Sequence, residues 1–429
     1  MKKKYRIILY TSIFLLCVVA SIILVVKKSN SVYEEESKPK VVKHKSMLSM
    51  NLEQTAGSGD YKTVTQSSWP TEGYKFNAEL SRCENGSTLS WDDTKKAVIV
   101  SGNLSDKCYV YFDIYQPTLA EYIKSQYTGT QGENNIYYHD SDLANGAGDN
   151  SYRYAGANPN NFVCFGTIES PCPIDNLYRI IGVFGENYHG ANGKQLVKLI
   201  KYDYMTTDEL GTDGDYSQTY KEWGMGSTYK GTYGDGERIG VYYWNYKATG
   251  SATNTWSTSL LNKTNLNTNF INNIGTTWAN KIATVTWKVG GNTWANIGTK
   301  TSSVAYTNEI TNPVTTNTTD NATTYSAKIG LMYVSDYGFA ASPDAWTLTM
   351  SSYNNTTATN NNWMYMGLYE WTFSRNAVYS NYAFYVTSDG GVNNYSVNYS
   401  SGVRASFNLE SSVSYVSGSG SMSDPIVIN

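Results

Sequence analysis

The hydrophobic pattern divides the chain into stretches of different character. A mainly apolar run, with only Thr11, Ser12 and Ser21 as small polar residues, extends from Ile7 to Val26 between basic flanks, Lys2, Lys3, Lys4 and Arg6 before it and Lys27 and Lys28 after it. Twenty such residues at roughly 1.5 Å each span about 30 Å, the thickness of a bilayer core. Residues 29–70 carry Ser, Lys, Glu, Gly and Thr without apolar period and are predicted to be a stalk. An alternating pattern then begins at Tyr74, Phe76, Ala78 and Leu80. It continues through Ala97–Val100 to Cys108, Val110, Phe112 and Ile114, which share one face of a strand. Three or four strands over residues 71–115 predict a small β-domain.

Residues 116–429 mix the two periods. Pro117–Tyr127 reads as a helix, with Leu119, Tyr122 and Ile123 near helical spacing. Leu177–Phe184 and Leu196–Ile200 are apolar runs separated by a Gly/Asn-rich loop, the pattern of a hairpin. Trp256–Ile274 is predicted to be helical, with Leu260, Leu261, Leu266, Phe270 and Ile271 on one side and Gly275 as its end. Ala327–Phe339 reads as a strand and turn, and Pro425–Ile428 as a closing strand. The fold class expected is α+β.

The apolar run has two readings. A cleaved signal peptide would have a shorter apolar region and a small-residue cleavage site, and none precedes Lys27. Denser basic charge before the run than after it places the short tail in the cytoplasm and the remainder outside. The expectation is therefore a single-pass membrane protein, with residues 1–28 as tail and transmembrane helix and an extracellular C-terminal region. Beyond the run lie Cys83, Cys108, Cys164 and Cys172. An even count outside the membrane favours disulfides, and short separation favours Cys83–Cys108 and Cys164–Cys172 among three pairings. Four buried thiols are the alternative.

Composition narrows the function classes. Net charge is −3 and the basic cluster is confined to the anchor, so nothing points to nucleic acid. Aromatic residues are 14% and Tyr alone numbers 38, which excludes a disordered chain. No cofactor or metal pattern stands out. Asp208, Asp213 and Asp215 lack the full calcium-loop spacing. His44, His139 and His189 form no nucleophilic motif. Asp235, Glu237 and Glu370 are the carboxylates considered for glycoside hydrolysis, with nothing to separate them from surface charge. Trp371, Phe384, Val403 and Phe407 are assigned to the core, and Arg404 to a structural ion pair.

Several motifs carry a resemblance. Trp256-Ser257 with Leu260 and Asn265-Leu266-Asn267, the strand Leu177-Tyr178-Arg179-Ile180-Ile181-Gly182-Val183, and the tail Gly402-Val403-Arg404 resemble an uncharacterised family of Gram-positive surface domains (domain-of-unknown-function family 6273) over about residues 150–428, with Trp371-Thr372-Phe373-Ser374-Arg375 standing where the family has Trp-Leu-Arg-Ser-Pro. Here Tyr178 replaces the family's Trp, and Ala405-Ser406 stand where the family has Pro-Ala. The family is more distantly similar to C-type-lectin-like domains and formylglycine-generating enzymes. This chain has no Cys after Cys172, which removes the late cysteine pair that holds copper in those enzymes. The resemblance implies a C-type-lectin-like C-terminal domain that presents a binding face.

The function expected is that of a membrane-anchored cell-surface binding protein, adhesin or lectin-like, and not an enzyme. Its partner would be a glycan or another cell-surface molecule, and the N-terminal helix would contact the membrane. An extracellular enzyme acting on cell-wall or host polysaccharide and a structural envelope protein are the alternatives. The polar stretch between Gly391 and Gly402 supplies the expected contacts: Asn393, Asn394, Tyr395, Asn398 and Tyr399, with Trp363 as a neighbouring stacking platform. Tyr and Asn together offer stacking area and adaptable hydrogen bonds. In an extended chain Tyr395, Val397 and Tyr399 would share one side.

Overall fold

The computed structural model describes residues 48–65, 68–70, 73–185, 193–223, 228–234, 236–312 and 323–429. The expected transmembrane helix, and the cytoplasmic tail with it, lie outside the described residues, as do His44, His189 and Asp235. Among the described residues no helix is long and apolar enough to cross a membrane. The chain is α+β, mostly sheet with few helices, and contains two disulfides. It divides into two compact units at Tyr115/Gln116.

The first unit is a four-stranded sheet and a hairpin. Strands β1 (Leu48–Glu53), β2 (Tyr61–Val64), β3 (Tyr74–Cys83) and β6 (Cys108–Ile114) are ordered β2-β1-β6-β3. β4 (Thr88–Asp92) and β5 (Ala97–Ser101) pair as the hairpin. Leu48–Glu53 and Tyr61–Val64, expected in the stalk, are thus strands. Met50 and Leu52 pair in parallel register with Val110 and Phe112 of β6, and burying these four side chains recruits the segment. Phe112 is the centre of the core, with Trp69, Phe76 and Trp91 rings 5.7–5.9 Å away. Cys83 sits directly opposite Cys108 in the β3–β6 ladder and is bonded to it. The alternation expected through Leu80 fails because the ladder shifts register between Asn77 and Arg82, leaving Leu80 exposed.

In the second unit the hairpin Leu177–Phe184/Leu196–Lys201 is the middle of a seven-stranded antiparallel sheet. Ser406–Asn408 and Ile329–Gly330 extend it on one side, Ser151–Tyr154 and Ile136–His139 on the other, and Phe162–Cys164 pairs with Leu177–Phe184. Both hairpin strands are buried along their whole length. Apolar clusters therefore cover both faces: Ile180 and Leu199 belong to one, Ile181 and Ile200 to the other. Cys164 is bonded to Cys172. Helix Leu119–Ser125 starts at Thr118, whose hydroxyl accepts the Glu121 N–H while the Glu121 carboxylate accepts the Thr118 N–H. The closing strand is Val427–Ile428, paired with Tyr415–Ser417.

Two expected elements differ. The Trp256–Ile274 helix is built of wide turns over Leu261–Phe270 and continues as Ile271–Ala279, broken where Gly275 takes φ +75°. The wide turns change the facing: Leu261, Leu266 and Phe270 are buried, but Leu260 is exposed. The stretch Ala327–Phe339 is a two-residue strand, Ile329–Gly330, followed by helix Val334–Ala340. Its all-buried apolar run carries no period to distinguish strand from helix, and the Asp336 carboxylate, accepting the Tyr333 N–H at 2.9 Å, starts the helix.

Candidate functional site

The second sheet of this unit builds the site. Its order is Gly291–Asn292, Glu370–Asn376, Tyr382–Val386, Val392–Ser396, and the last strand is an edge. Trp371 pairs with Tyr385, Tyr385 with Asn393, and Ala383 with Tyr395. Directly opposed residues share a face, and so do residues two apart, so Trp371, Tyr385, Asn393 and Tyr395 look to one side. The turn that starts the edge strand needs Gly390. It has φ +97°, and a Cβ there would lie 2.6 Å from Thr359 Cγ2.

A groove of about 260 Å³ opens on this face, lined by Trp223, Tyr369, Trp371, Tyr385, Tyr395, Tyr399, Ser400 and Ser401. Tyr220 and Trp223 come from a single helical turn, and the Tyr220 hydroxyl accepts the Tyr369 N–H at 2.8 Å. Gly402 N–H donates to the Tyr369 carbonyl and the Gly402 carbonyl accepts from Trp371 N–H, which draws Ser400 and Ser401 alongside. Successive ring contacts run Trp223–Tyr369 (5.5 Å), Tyr369–Tyr385 (5.8 Å) and Tyr385–Trp371 (5.7 Å). Tyr395 and Tyr399 meet edge to face at 4.4 Å and are 41% and 55% exposed. Trp371 is the buried floor, its Nε1 donating to the Tyr242 carbonyl.

Among the described residues the lining contains no carboxylate, ammonium or guanidinium. Burial and neighbouring Tyr and Asp groups push the Tyr385 hydroxyl up to about 12. The Tyr399 hydrogen bond raises the Tyr395 hydroxyl. Beneath the groove, the Arg404 guanidinium grips Glu370 through two bonds of 2.8 and 2.9 Å and donates a third to the Met364 carbonyl at 2.7 Å. Both are buried. Burial disfavours the Arg404 cation, but the Glu370 charge outweighs it and leaves Arg404 above its ordinary pKa.

The expected contact residues separate into three groups. Tyr395 and Tyr399 line the groove, and exposed Asn393 shares the face of Tyr385. Asn394 and Asn398 have other partners: Asn394 Oδ1 accepts from the Asn376 side chain at 3.1 Å, and Asn398 Oδ1 from the Lys247 N–H at 3.2 Å. Trp363 is not a platform. It is 4% exposed, donates Nε1 to the Tyr154 carbonyl, and stacks on buried Arg179 at 4.7 Å. Tyr395, Val397 and Tyr399 do not share a side either. The strand ends at Ser396 and a turn, closed by Tyr399 N–H to the Ser396 carbonyl, buries Val397 and exposes both Tyr.

Trp223, Tyr369 and Tyr385 lie outside the polar stretch and were not legible as site residues, whereas Ser400 and Ser401 lie within it but were not singled out. Trp371, Phe384, Val403 and Phe407 are all buried. The other candidates stay apart. Asp215 is buried and accepts the Tyr246 and Leu261 N–H groups, Asp213 holds the Asn269 side chain, and Asp208 lies 3.7 Å from Arg238. Glu237 pairs with Lys221. Buried His139 accepts the Ala147 N–H through Nδ1. Among the described residues no cluster could hold a metal ion. No family model, curated protein or solved structure matches the chain.

Proposed function

We propose that the chain is a membrane-anchored bacterial cell-surface binding protein whose C-terminal domain is C-type-lectin-like and takes a neutral glycan in the groove of Tyr395 and Tyr399. The observation that carries this reading is the groove itself: six aromatic rings and two serines, with no charged group among the described residues of the lining. Sugar rings present flat C–H faces that stack on aromatic rings, and hydroxyls that pair with Ser and Tyr. A charged ligand would find no counter-ion there. The motifs shared with Gram-positive surface domains favour the same reading, and so does the apolar run Ile7–Val26.

The test is glycan binding by the full chain in detergent, on an array of neutral and acidic oligosaccharides. Neutral glycans are expected to bind, and Tyr395→Ala with Tyr399→Ala to abolish binding with an unchanged melting temperature. Binding of acidic glycans alone, or a melting temperature that collapses in the double variant while binding persists, would refute the reading. Hydrolysis of a bound polysaccharide would replace it with an enzyme.

A further inference from the structure

Two ionisable residues meet inside the main core, and a third lies at the same helix start. Lys198 lies on the central hairpin and Asp336 in the first turn of helix Val334–Ala340. Their Nζ and Oδ2 atoms are 2.5 Å apart, and both side chains are 0% exposed. The rings of Tyr333, Trp287 and Phe184 surround Nζ at 4.6, 5.4 and 5.8 Å. The third residue is Glu309, 3% exposed. Its oxygens accept the N–H groups of Val334 and Ser335, at 3.1 and 2.9 Å, and the Ser374 hydroxyl. Val334 and Ser335 immediately precede Asp336, so the two carboxyl groups converge on one helix start.

We propose that Lys198 and Asp336 condense into an intramolecular isopeptide bond, with Glu309 carrying the proton. The reaction needs a neutral amine, a carboxyl carbon within reach, and exclusion of water. Taking an ion pair out of water costs several kcal/mol per ion, and mutual attraction repays this only with fully satisfying partners. Transfer of the Lys198 proton to Asp336 leaves a neutral amine facing a carboxylic acid. Surrounding rings favour the ammonium, but by less than that desolvation cost. Burial accordingly pulls the Lys198 amine below its ordinary pKa, against the charge of Asp336, and raises the Glu309 carboxyl.

The step balances without a co-reactant. Lys198 Nζ attacks Asp336 Cγ and a C–N bond forms. Negative charge grows on Oδ1 of the tetrahedral centre, while Oδ2, which took the Lys198 proton and accepts the Tyr333 N–H at 2.9 Å, becomes the departing hydroxyl. One nitrogen proton passes to the Glu309 carboxyl and from it to the departing hydroxyl. The C–O bond breaks, and amide and one water are the products. Holding amine and acid in contact replaces a bimolecular encounter, an advantage equivalent to about 10⁵–10⁸ M.

Mass spectrometry of the full chain tests this directly. After reduction and trypsin digestion, the expected product is a branched peptide joining the Lys198 and Asp336 segments, lighter by one water than its two parts. Lys198→Arg is expected to release the two segments separately, and so is Glu309→Gln. Recovery of unlinked Lys198 and Asp336 peptides from the unsubstituted chain would overturn the proposal, whatever the folding of the variants. A full yield of the branched peptide from Glu309→Gln would overturn the part given to Glu309.

Discussion

Arg404 has the most exacting position in the second unit, and replacing it with Met measures why. The guanidinium is 1% exposed, gives Glu370 two hydrogen bonds and gives the Met364 carbonyl another. Met fills similar space with no charge, so Glu370 would be left buried without its counter-ion. Removing one partner of a buried pair costs about 3–5 kcal/mol, whereas replacing both with apolar residues is often nearly neutral. Arg404→Met alone is therefore expected to raise the open population of this region by about two to four decades. Adding Glu370→Leu should recover most of that loss. Native-state hydrogen exchange over Glu370–Asn376 and Ser406–Asn408 reads both effects. A single variant with less than about a tenfold loss of protection would refute the reasoning. So would a double variant that loses as much as the two singles combined.

Other outcomes follow from the same structure. Removing Cys83–Cys108 opens a 25-residue separation and Cys164–Cys172 one of 8, so chain entropy alone predicts losses of about 3.5 and 2.5 kcal/mol. Exchange in β3 and β6 should reveal the first as the more damaging; equal exchange in both variants would contradict it. Gly390→Ala should destabilise the groove edge, because φ +97° is strained for alanine and its Cβ meets Thr359; unchanged glycan affinity and stability would argue otherwise. For Asp149, burial pushes the pKa up, but the Arg153 charge and the Ser151 and Tyr306 hydrogen bonds outweigh it and hold it well below the carboxylate range. Its stabilisation is therefore present above the unfolded pKa of about 4 and is lost as pH falls through the folded value. Asp149→Asn should flatten the acid limb of the stability profile, and an unaltered limb would show that other groups set it. Glycan binding should be level between about pH 5 and pH 9, since the described lining titrates only through Tyr hydroxyls, of which Tyr385 and Tyr395 are raised. A bell-shaped profile in that range would implicate a group outside the groove.

Local pattern was enough for much of the architecture. Periodicity located the Leu177–Phe184/Leu196–Lys201 hairpin and the Leu119–Ser125 helix, because alternation, capping and burial are properties of neighbouring residues. An even cysteine count and short separation singled out both cysteine pairs, and Gly-Val-Arg marked a buried ion pair. Local pattern failed where a long-range partner decides. Leu48–Glu53 resembles stalk until β6 offers it an apolar face, and Trp363 resembles a platform until Arg179 covers it. Tyr395 and Tyr399 were legible as exposed polar-stretch aromatics, but their groove was not. Tyr385 and Tyr369 reach them by pairing across strands, and Trp223, well over a hundred positions away, by the Tyr220–Tyr369 bond. Composition and period determine which residues can be buried or bent. Which of them face one another, as Lys198 faces Asp336 across 138 positions, depends on the packing of whole sheets and helices, and only the tertiary structure decides it.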